Sequence, residues 1–254
     1  MSKKVYFVGA GPGASDLITL RGKKFLEEAD VIIYAGSLVP VALLGFAKSR
    51  CVKYNSAEMT LDEVIEIMRN AIAENKTVVR LHTGDPSLYG AIREQMDRLA
   101  GLGIDYEICP GVSSFCAAAA ALKAEYTLPG VSQTVIITRA AGRTAVPERE
   151  SLKSLAVHGA TLVLFLSAGL LEKVSKELIE GGYAPETPAA IVYKASWEEE
   201  KVVKCTLDEL AECALRNDIG KTALICIGSF LGNEYELSKL YSADFSTGYR
   251  EAKS

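Results

Sequence analysis

Val5-Tyr-Phe-Val-Gly-Ala-Gly-Pro-Gly13 decides how the rest of the chain reads. Val5–Val8 is an apolar, β-branched and aromatic run with the make-up of a buried strand. Gly9, Gly11 and Gly13 then break it into a turn whose backbone can approach a ligand or another backbone closely. Asp16 to Ala29 follows as an amphipathic helix carrying Leu17, Leu20 and Leu26, with Ser15 or Asp16 as its N-cap. Strand, Gly-rich turn and helix together start a βα unit, and its turn faces the sheet edge where open α/β sheets hold ligands.

The same rhythm continues along the chain. Strands are expected at 30–34, 51–54, 77–81 and 104–109. Between them fall a short apolar helix around 38–47, a helix behind the Thr60-Leu-Asp-Glu63 capping box, and a helix from about 88 to 100. Further strands are expected at 133–138, 161–166, 189–193, 202–205 and 222–227, with helices at 170–181 and 207–216. Alternation of this kind predicts βα units and a parallel sheet. The final twenty or so residues are polar and read as a loosely held tail.

Three further stretches carry candidate chemistry. Thr83-Gly-Asp-Pro86 ends a strand; Asp85 offers a carboxylate to a ligand amine or hydroxyl, or caps the next helix with Pro86 at its first turn. Pro110-Gly-Val-Ser-Ser114 ends another strand with hydroxyls and free N–H groups, or is a cap in its turn. Thr138-Arg to Pro147 is an irregular loop whose arginines suit carboxylates, or simply face solvent. Three glycine-bearing turns on one sheet edge argue together for a site more strongly than any does singly.

Several classes of function are disfavoured. The first turn resembles the dinucleotide fingerprint G-x-G-x-x-G/A, closing on Ala14. That fingerprint needs an acid after the second strand, and Tyr34-Ala-Gly-Ser37 has none. Pro12 also removes an N–H where a phosphate would want one. The formal net charge of −4 gives no global attraction to nucleic acid or acidic membranes. Two histidines, His82 and His158, and six cysteines without a C-x-x-C predict no protein-held metal. The opening Met-Ser-Lys-Lys-Val-Tyr predicts no signal peptide, and no apolar run suits a membrane span. A cytoplasmic protein is expected.

With these stretches in hand, the chain resembles the tetrapyrrole methylase family. The matching pieces stand in family order: V-G-A-G-P-G at 8–13, D-L-I-T-L-R-G at 16–22, A-D-V-I-I-Y at 29–34, V-V-R-L-H-T-G-D-P at 78–86 and P-G-V-S-S at 110–114. His82-Thr-Gly-Asp-Pro86, the loop Thr138 to Glu148, and Tyr193-Lys-Ala-Ser-Trp197 resemble the branch that methylates C11 of precorrin-4 in corrin (vitamin B12) biosynthesis. The resemblance implies two α/β domains, the N-terminal sheet mostly parallel and the C-terminal one mixed, with the cofactor between them. The boundaries expected are 1–112, 113–232 and a polar tail at 233–254. It also implies a homodimer, S-adenosylmethionine as methyl donor, S-adenosylhomocysteine as product, and a tetrapyrrole substrate. Relatives that methylate other ring carbons, ribosomal RNA or a protein histidine form the alternative.

Residue by residue, the resemblance places Pro12, Gly84, Asp85, Leu88, Ser113, Ser114, Leu166 and Ala195 on the cofactor. Gly11 and Gly13 would face the ring, with His82, Arg139, Arg143 and Lys194 supplying cations for its carboxylates. The related enzymes acting on uroporphyrinogen carry an Asp after the second-strand Tyr; Ala35-Gly-Ser37 stands there in this chain, and no catalytic base is assigned.

Overall fold

The computed structural model describes residues 4–252. Two compact units emerge: residues up to Ala118 together with Lys194–Glu200, and Ala119–Tyr193 together with the residues from Lys201 onward.

The first unit runs β1 (Val5–Gly9), α1 (Leu20–Glu28), β2 (Val31–Tyr34), β3 (Val52–Asn55), α2 (Leu61–Ala73), β4 (Val78–His82), α3 (Ile92–Gly101) and β5 (Tyr106–Cys109). Its sheet has the order β3-β2-β4-β1-β5 and every pairing is parallel. Both faces are covered, which is why its inner strands read as unbroken apolar runs rather than alternating ones. Val8, Ile32, Val79 and Leu81 pack with Leu26 and Leu43 on one face. Val5, Phe7, Ile33 and Val78 pack with Val64, Ile65, Met68 and Leu99 on the other.

Local chemistry explains most element ends, and several differ from the sequence expectations. The N-cap of α1 is Thr19, whose hydroxyl accepts from Gly22 N at 3.1 Å, and not Ser15 or Asp16. Residues Ser15–Leu17 form a separate 3-10 turn, so the helix starts late. The apolar stretch around 38–47 is two short 3-10 segments, Gly36–Leu38 and Val41–Phe46, interrupted by Pro40, which has no N–H to continue a ladder. The helix expected from 88 begins at Ile92, because Tyr89 and Ala91 adopt left-handed φ of 57° and 49°. The Thr60–Glu63 capping box forms in full, the Glu63 carboxylate accepting from Thr60 N at 2.7 Å; such a cap is worth about 1 kcal/mol.

After α4 (Ser114–Leu122), the second unit continues with β6 (Val135–Arg139), α5 (Leu152–Ala156), β7 (Thr161–Phe165), α6 (Leu171–Glu180), β8 (Pro188–Tyr193), β9 (Lys201–Thr206), α7 (Leu210–Arg216) and β10 (Ala223–Ile227). The order is β6-β7-β10-β8-β9, with β6 and β7 parallel and the other pairs antiparallel, a mixed sheet. Leu162, Leu164, Ile191, Ile225 and Ile227 meet Leu152, Val174, Leu178 and Leu210 of its helices in one core. The polar tail is tied in at Glu236, whose N–H donates to Pro129 O at 3.0 Å. No helix among the described residues is long and apolar enough to cross a membrane.

Candidate functional site

Because β4, β1 and β5 are adjacent, the turns that leave their C-terminal ends lie side by side. They pack backbone against backbone. Gly11 N donates to Gly84 O at 3.2 Å, and Gly84 N donates back to Gly11 O at 2.8 Å. A Cβ built on Gly9 would lie 2.5 Å from Gly111 Cα; one built on Gly111 would lie 2.2 Å from Gly84 O. Atoms do not approach that closely, so Gly9 and Gly111 must lack a Cβ to pack against each other and against the Gly84 carbonyl, while Gly84 needs its own freedom for a left-handed φ of 58°. The turns at 9–13, 83–86 and 110–114 therefore form one nest.

Asp85 fastens it. Its Oδ2 accepts from Gly111 N at 2.9 Å and its Oδ1 from Ser87 N at 2.8 Å and from the Ser87 hydroxyl. The carboxylate thus bridges two turns and is not the cap of α3. Its partial burial pushes the pKa up, but the hydrogen bonds from Ser87 and Gly111 outweigh burial and hold it below the usual value. Leu88 is set by its N–H, which donates to Asp85 O at 3.2 Å. Ser113 is buried and Ser114 opens α4, so both sit beside Gly84.

The segment Lys194–Glu200 joins the same unit and reaches the Gly-rich loop. Trp197 Nε1 donates to Pro12 O at 2.9 Å, and Ala14 N donates to Ser196 Oγ at 3.0 Å. Ala195, next to Ser196, is buried. Lys194 Nζ pairs with Glu199 at 2.8 Å and lies 5.4 Å from the Trp197 ring centroid. A Cβ on Gly13 would come within 2.2 Å of Trp197 Cδ1, so that glycine faces the indole.

His82 corrects an expectation. The sequence reading places it in a turn, as a cation for the ring. It ends β4 instead, is 4% exposed, and its Nε2 is buried without a hydrogen-bond partner. Burial, helped by the positive charge of Arg80, pushes its pKa down to about 3, so it is neutral at physiological pH. Arg80 is itself buried, its Nε donating to Gln95 Oε1 at 3.1 Å and its Nη1 to Ile33 O at 3.2 Å. Gln95 Nε2 in turn donates to Ala91 O at 3.0 Å, which ties the irregular start of α3 to the central strand.

In the second unit, Leu166 follows β7 with a left-handed φ of 53° and stands 69% exposed. A non-glycine residue held in that conformation costs of order 1–3 kcal/mol and persists only when its surroundings impose it. Ser167 imposes it here: its hydroxyl donates to Phe165 O at 2.7 Å and accepts from Ala140 N at 2.8 Å. Arg139 ends β6 rather than lying in the loop, and its guanidinium donates to the carbonyls of Ala140, Thr144 and Ala145 at 3.3, 3.1 and 2.7 Å. It shapes the loop, and no carboxylate pairs with it among the described residues. Arg143 is exposed on the same loop.

Sequence reasoning missed Ser196, Trp197, Ser167 and the Arg80–Gln95 link. Only Trp197 had a signal, as the sole Trp of the chain beside a Ser between two strands. Among the described residues no hydroxyl or thiol is hydrogen-bonded to a histidine, and the Ser87 hydroxyl donates to Asp85 as part of the brace between the turns. The assembled groups can position a bound molecule and hydrogen-bond it, rather than attack it.

Comparison with known proteins gives this site its context. The family profile of Tetrapyrrole (Corrin/Porphyrin) Methylases matches residues 4–211. A cobalt-precorrin-4 C(11)-methyltransferase from Methanocaldococcus jannaschii is 56% identical over 99% of this chain and 97% of its own. A solved cobalamin biosynthetic enzyme, a cobalt precorrin-4 methyltransferase, superposes with a TM-score of 0.89 at 49% identity, over 91% of this chain and 96% of its own. A uroporphyrin-III C-methyl transferase from Thermus thermophilus, solved with S-adenyl homocysteine, superposes with a TM-score of 0.75 at 28% identity, over 90% of this chain and 93% of its own.

Proposed function

The chain belongs to the tetrapyrrole (corrin/porphyrin) methylases, and on that premise we propose that it is an S-adenosylmethionine-dependent C-methyltransferase acting on C11 of precorrin-4 or cobalt-precorrin-4 in cobalamin biosynthesis. One observation carries this reading: the likeness to the Methanocaldococcus protein spans 99% of the chain at 56% identity, covering all the turns of the site at once.

The site fits the donor. S-adenosylmethionine has no phosphate, which suits a Gly-rich loop where Pro12 lacks an N–H and Trp197 occupies the Pro12 carbonyl. Asp85 still has acceptor capacity for an amine or hydroxyl, and Gly84, Ser113 and Ser114 place small residues and the start of α4 beside it. When bound, the donor supplies an electrophilic sulfonium methyl for an electron-rich pyrrolic carbon. Pro12, Gly84, Asp85, Leu88, Ser113, Ser114 and Ala195 of the first unit hold and orient it. Leu166 of the second unit is assigned to the cofactor as well, its exposure and strained backbone supporting a ligand contact. Such a transfer needs positioning and exclusion of water, which together lower a barrier by roughly 7–11 kcal/mol, and no protein nucleophile.

The ring carboxylates fall to Arg139 and Arg143, and to Lys194, which pairs with Glu199; the resemblance assigns Gly11 to the ring as well. His82, being neutral, supports the turn rather than supplying charge. The family resemblance further supports a cytoplasmic homodimer. Incubation with labelled S-adenosylmethionine and a precorrin-4-generating enzyme mixture, followed by NMR assignment of the labelled carbon, tests the reading. Label at C11 is expected; label at another ring carbon would refute it. Arg143→Ala should raise the apparent KM for the ring without lowering Tm, since the exposed side chain braces no core contact.

A further inference from the structure

We infer that Ser196 and Trp197 are positioning residues of the methyl-transfer site. They latch the Gly-rich loop in its working shape, and Gly13 is glycine to admit the Trp197 indole. The role rests on the methyltransferase reading, because it is for that reaction that the loop must be shaped.

Two polar groups of the stretch between Pro12 and Ala14 show the latch directly. Pro12 O accepts from Trp197 Nε1 at 2.9 Å, and Ala14 N donates to Ser196 Oγ at 3.0 Å. Pro12 has no N–H of its own to bond elsewhere. Gly13 lies between these two anchors, and its missing Cβ leaves the space the indole fills: a methyl there would sit 2.2 Å from Trp197 Cδ1, 2.5 Å from Nε1 and 2.9 Å from Ser196 Oγ. These partners lie more than 180 residues away in the chain.

The latch is stiff. Lys194 and Ser196 both take left-handed φ, 46° and 68°. Ser196 N donates to the Glu200 carboxylate at 2.6 Å, Trp197 N donates to Lys194 O at 2.9 Å, and the Lys194 ammonium is held by Glu199. Strain of this kind is kept only where surrounding contacts impose it. Ala195, assigned to the cofactor, is flanked by the strained pair. One rigid tip therefore sets both a cofactor contact and the loop, so a bound donor and the loop geometry are coupled through Trp197.

Trp197 is the only Trp in the chain, so its emission reports on the latch without any assay of activity. The experiment compares parent, Gly13→Ala, Trp197→Ala, the double variant, and the milder Ser196→Ala and Trp197→Phe. It reads Tm, emission where Trp197 is retained, S-adenosylhomocysteine affinity by calorimetry, and kcat and KM for methyl transfer. Gly13→Ala should shift the emission to the red and lower kcat/KM about a hundredfold, the cost of displacing a site by about 1 Å. Trp197→Ala should do similar damage, and adding Gly13→Ala to it should cost less than about twofold more. Ser196→Ala and Trp197→Phe should fold at near-parent Tm yet lower kcat by roughly tenfold, the effect of misplacing and not unfolding the loop.

Full additivity of Gly13→Ala and Trp197→Ala would overturn the inference, because Gly13 would then be pressed by ligand and not by the indole. So would unchanged kcat/KM in the folded Ser196→Ala and Trp197→Phe variants. If the parent transfers no methyl to C11 but binds S-adenosylhomocysteine, with an affinity that responds non-additively to Gly13→Ala and Trp197→Ala and an emission that Gly13→Ala shifts, the substrate reading fails and the latch stands.

Discussion

Replacing Gly111 by Ala tests the nest of turns at its tightest point. The new Cβ would lie 2.2 Å from Gly84 O and 2.7 Å from Gly9 Cα, both backbone atoms of other turns. Carbon–oxygen contacts settle near about 3.3 Å, so the turns must part by about 1 Å. Neither neighbour can rotate away as a side chain would. Gly84 O also accepts from Gly11 N, and Gly111 N donates to Asp85 at 2.9 Å, a bond that a displacement of about 1 Å breaks. Overpacking costs about 1–3 kcal/mol and loss of a hydrogen bond to a carboxylate about 1.5–3 kcal/mol. Together that is roughly 2.5–6 kcal/mol, or about 5–20 °C in Tm for a chain of this size. Scanning calorimetry measures this, and titration with S-adenosylhomocysteine measures the accompanying loss of affinity, expected at about tenfold or more. Gly101, at the end of α3 with nothing within 4 Å of where a methyl would stand, is the control: its Ala variant should be neutral or stabilised by up to about 1 kcal/mol. A Gly111→Ala protein that melts within about 2 °C of parent and binds S-adenosylhomocysteine within twofold would refute the reasoning.

Other outcomes follow from the same geometry. Asp85→Asn leaves an amide N–H₂ facing a donor and should cost about 1–3 kcal/mol of stability at neutral pH. Since the folded pKa of Asp85 lies below its unfolded value, that stabilisation is present above the unfolded pKa and fades as pH falls through the folded one; urea melts of parent and variant should converge in acid. His82 has the same sign for a different reason: its folded pKa near 3 lies below 6.5, so the unfolded chain takes up a proton that the native state refuses as pH falls between them. A His82→Phe protein should therefore lose less stability than parent between pH 6.5 and 3, and parallel pH–stability curves would contradict this. Leu166→Gly relieves a left-handed backbone, and should leave Tm unchanged or higher while weakening S-adenosylhomocysteine binding several-fold, as read by calorimetry.

The turns of the site were legible from residue order because each is a local composition on a few consecutive residues. Gly9 to Gly13, Thr83 to Pro86 and Pro110 to Ser114 each follow an apolar run, and strand ends are where glycine, proline and short polar residues punctuate a chain. The parallel sheet of the first unit was legible for the same reason, through strands that stay apolar on both faces. Start points of helices were less so: Thr19, Tyr89 and Ala91 shift them through a single side-chain bond or a left-handed φ, which several neighbouring residues could equally have adopted.

Contacts between distant segments were decided only by tertiary structure. The order β4-β1-β5 brings Gly84 O to Gly9 and Gly111, converting three separate turns into one nest. Asp85 became a brace because Gly111 N arrives beside it, and His82 lost its charge because it is buried at the end of a central strand beside Arg80. Gly13 kept its identity for Trp197, a partner some 184 positions away, which no reading of the loop's own residues names. Backbone preference and hydrophobic period act over a few residues; steric exclusion, desolvation and hydrogen bonding across the fold act on whatever the topology places in contact, and at this site those long-range forces set the function of each local motif.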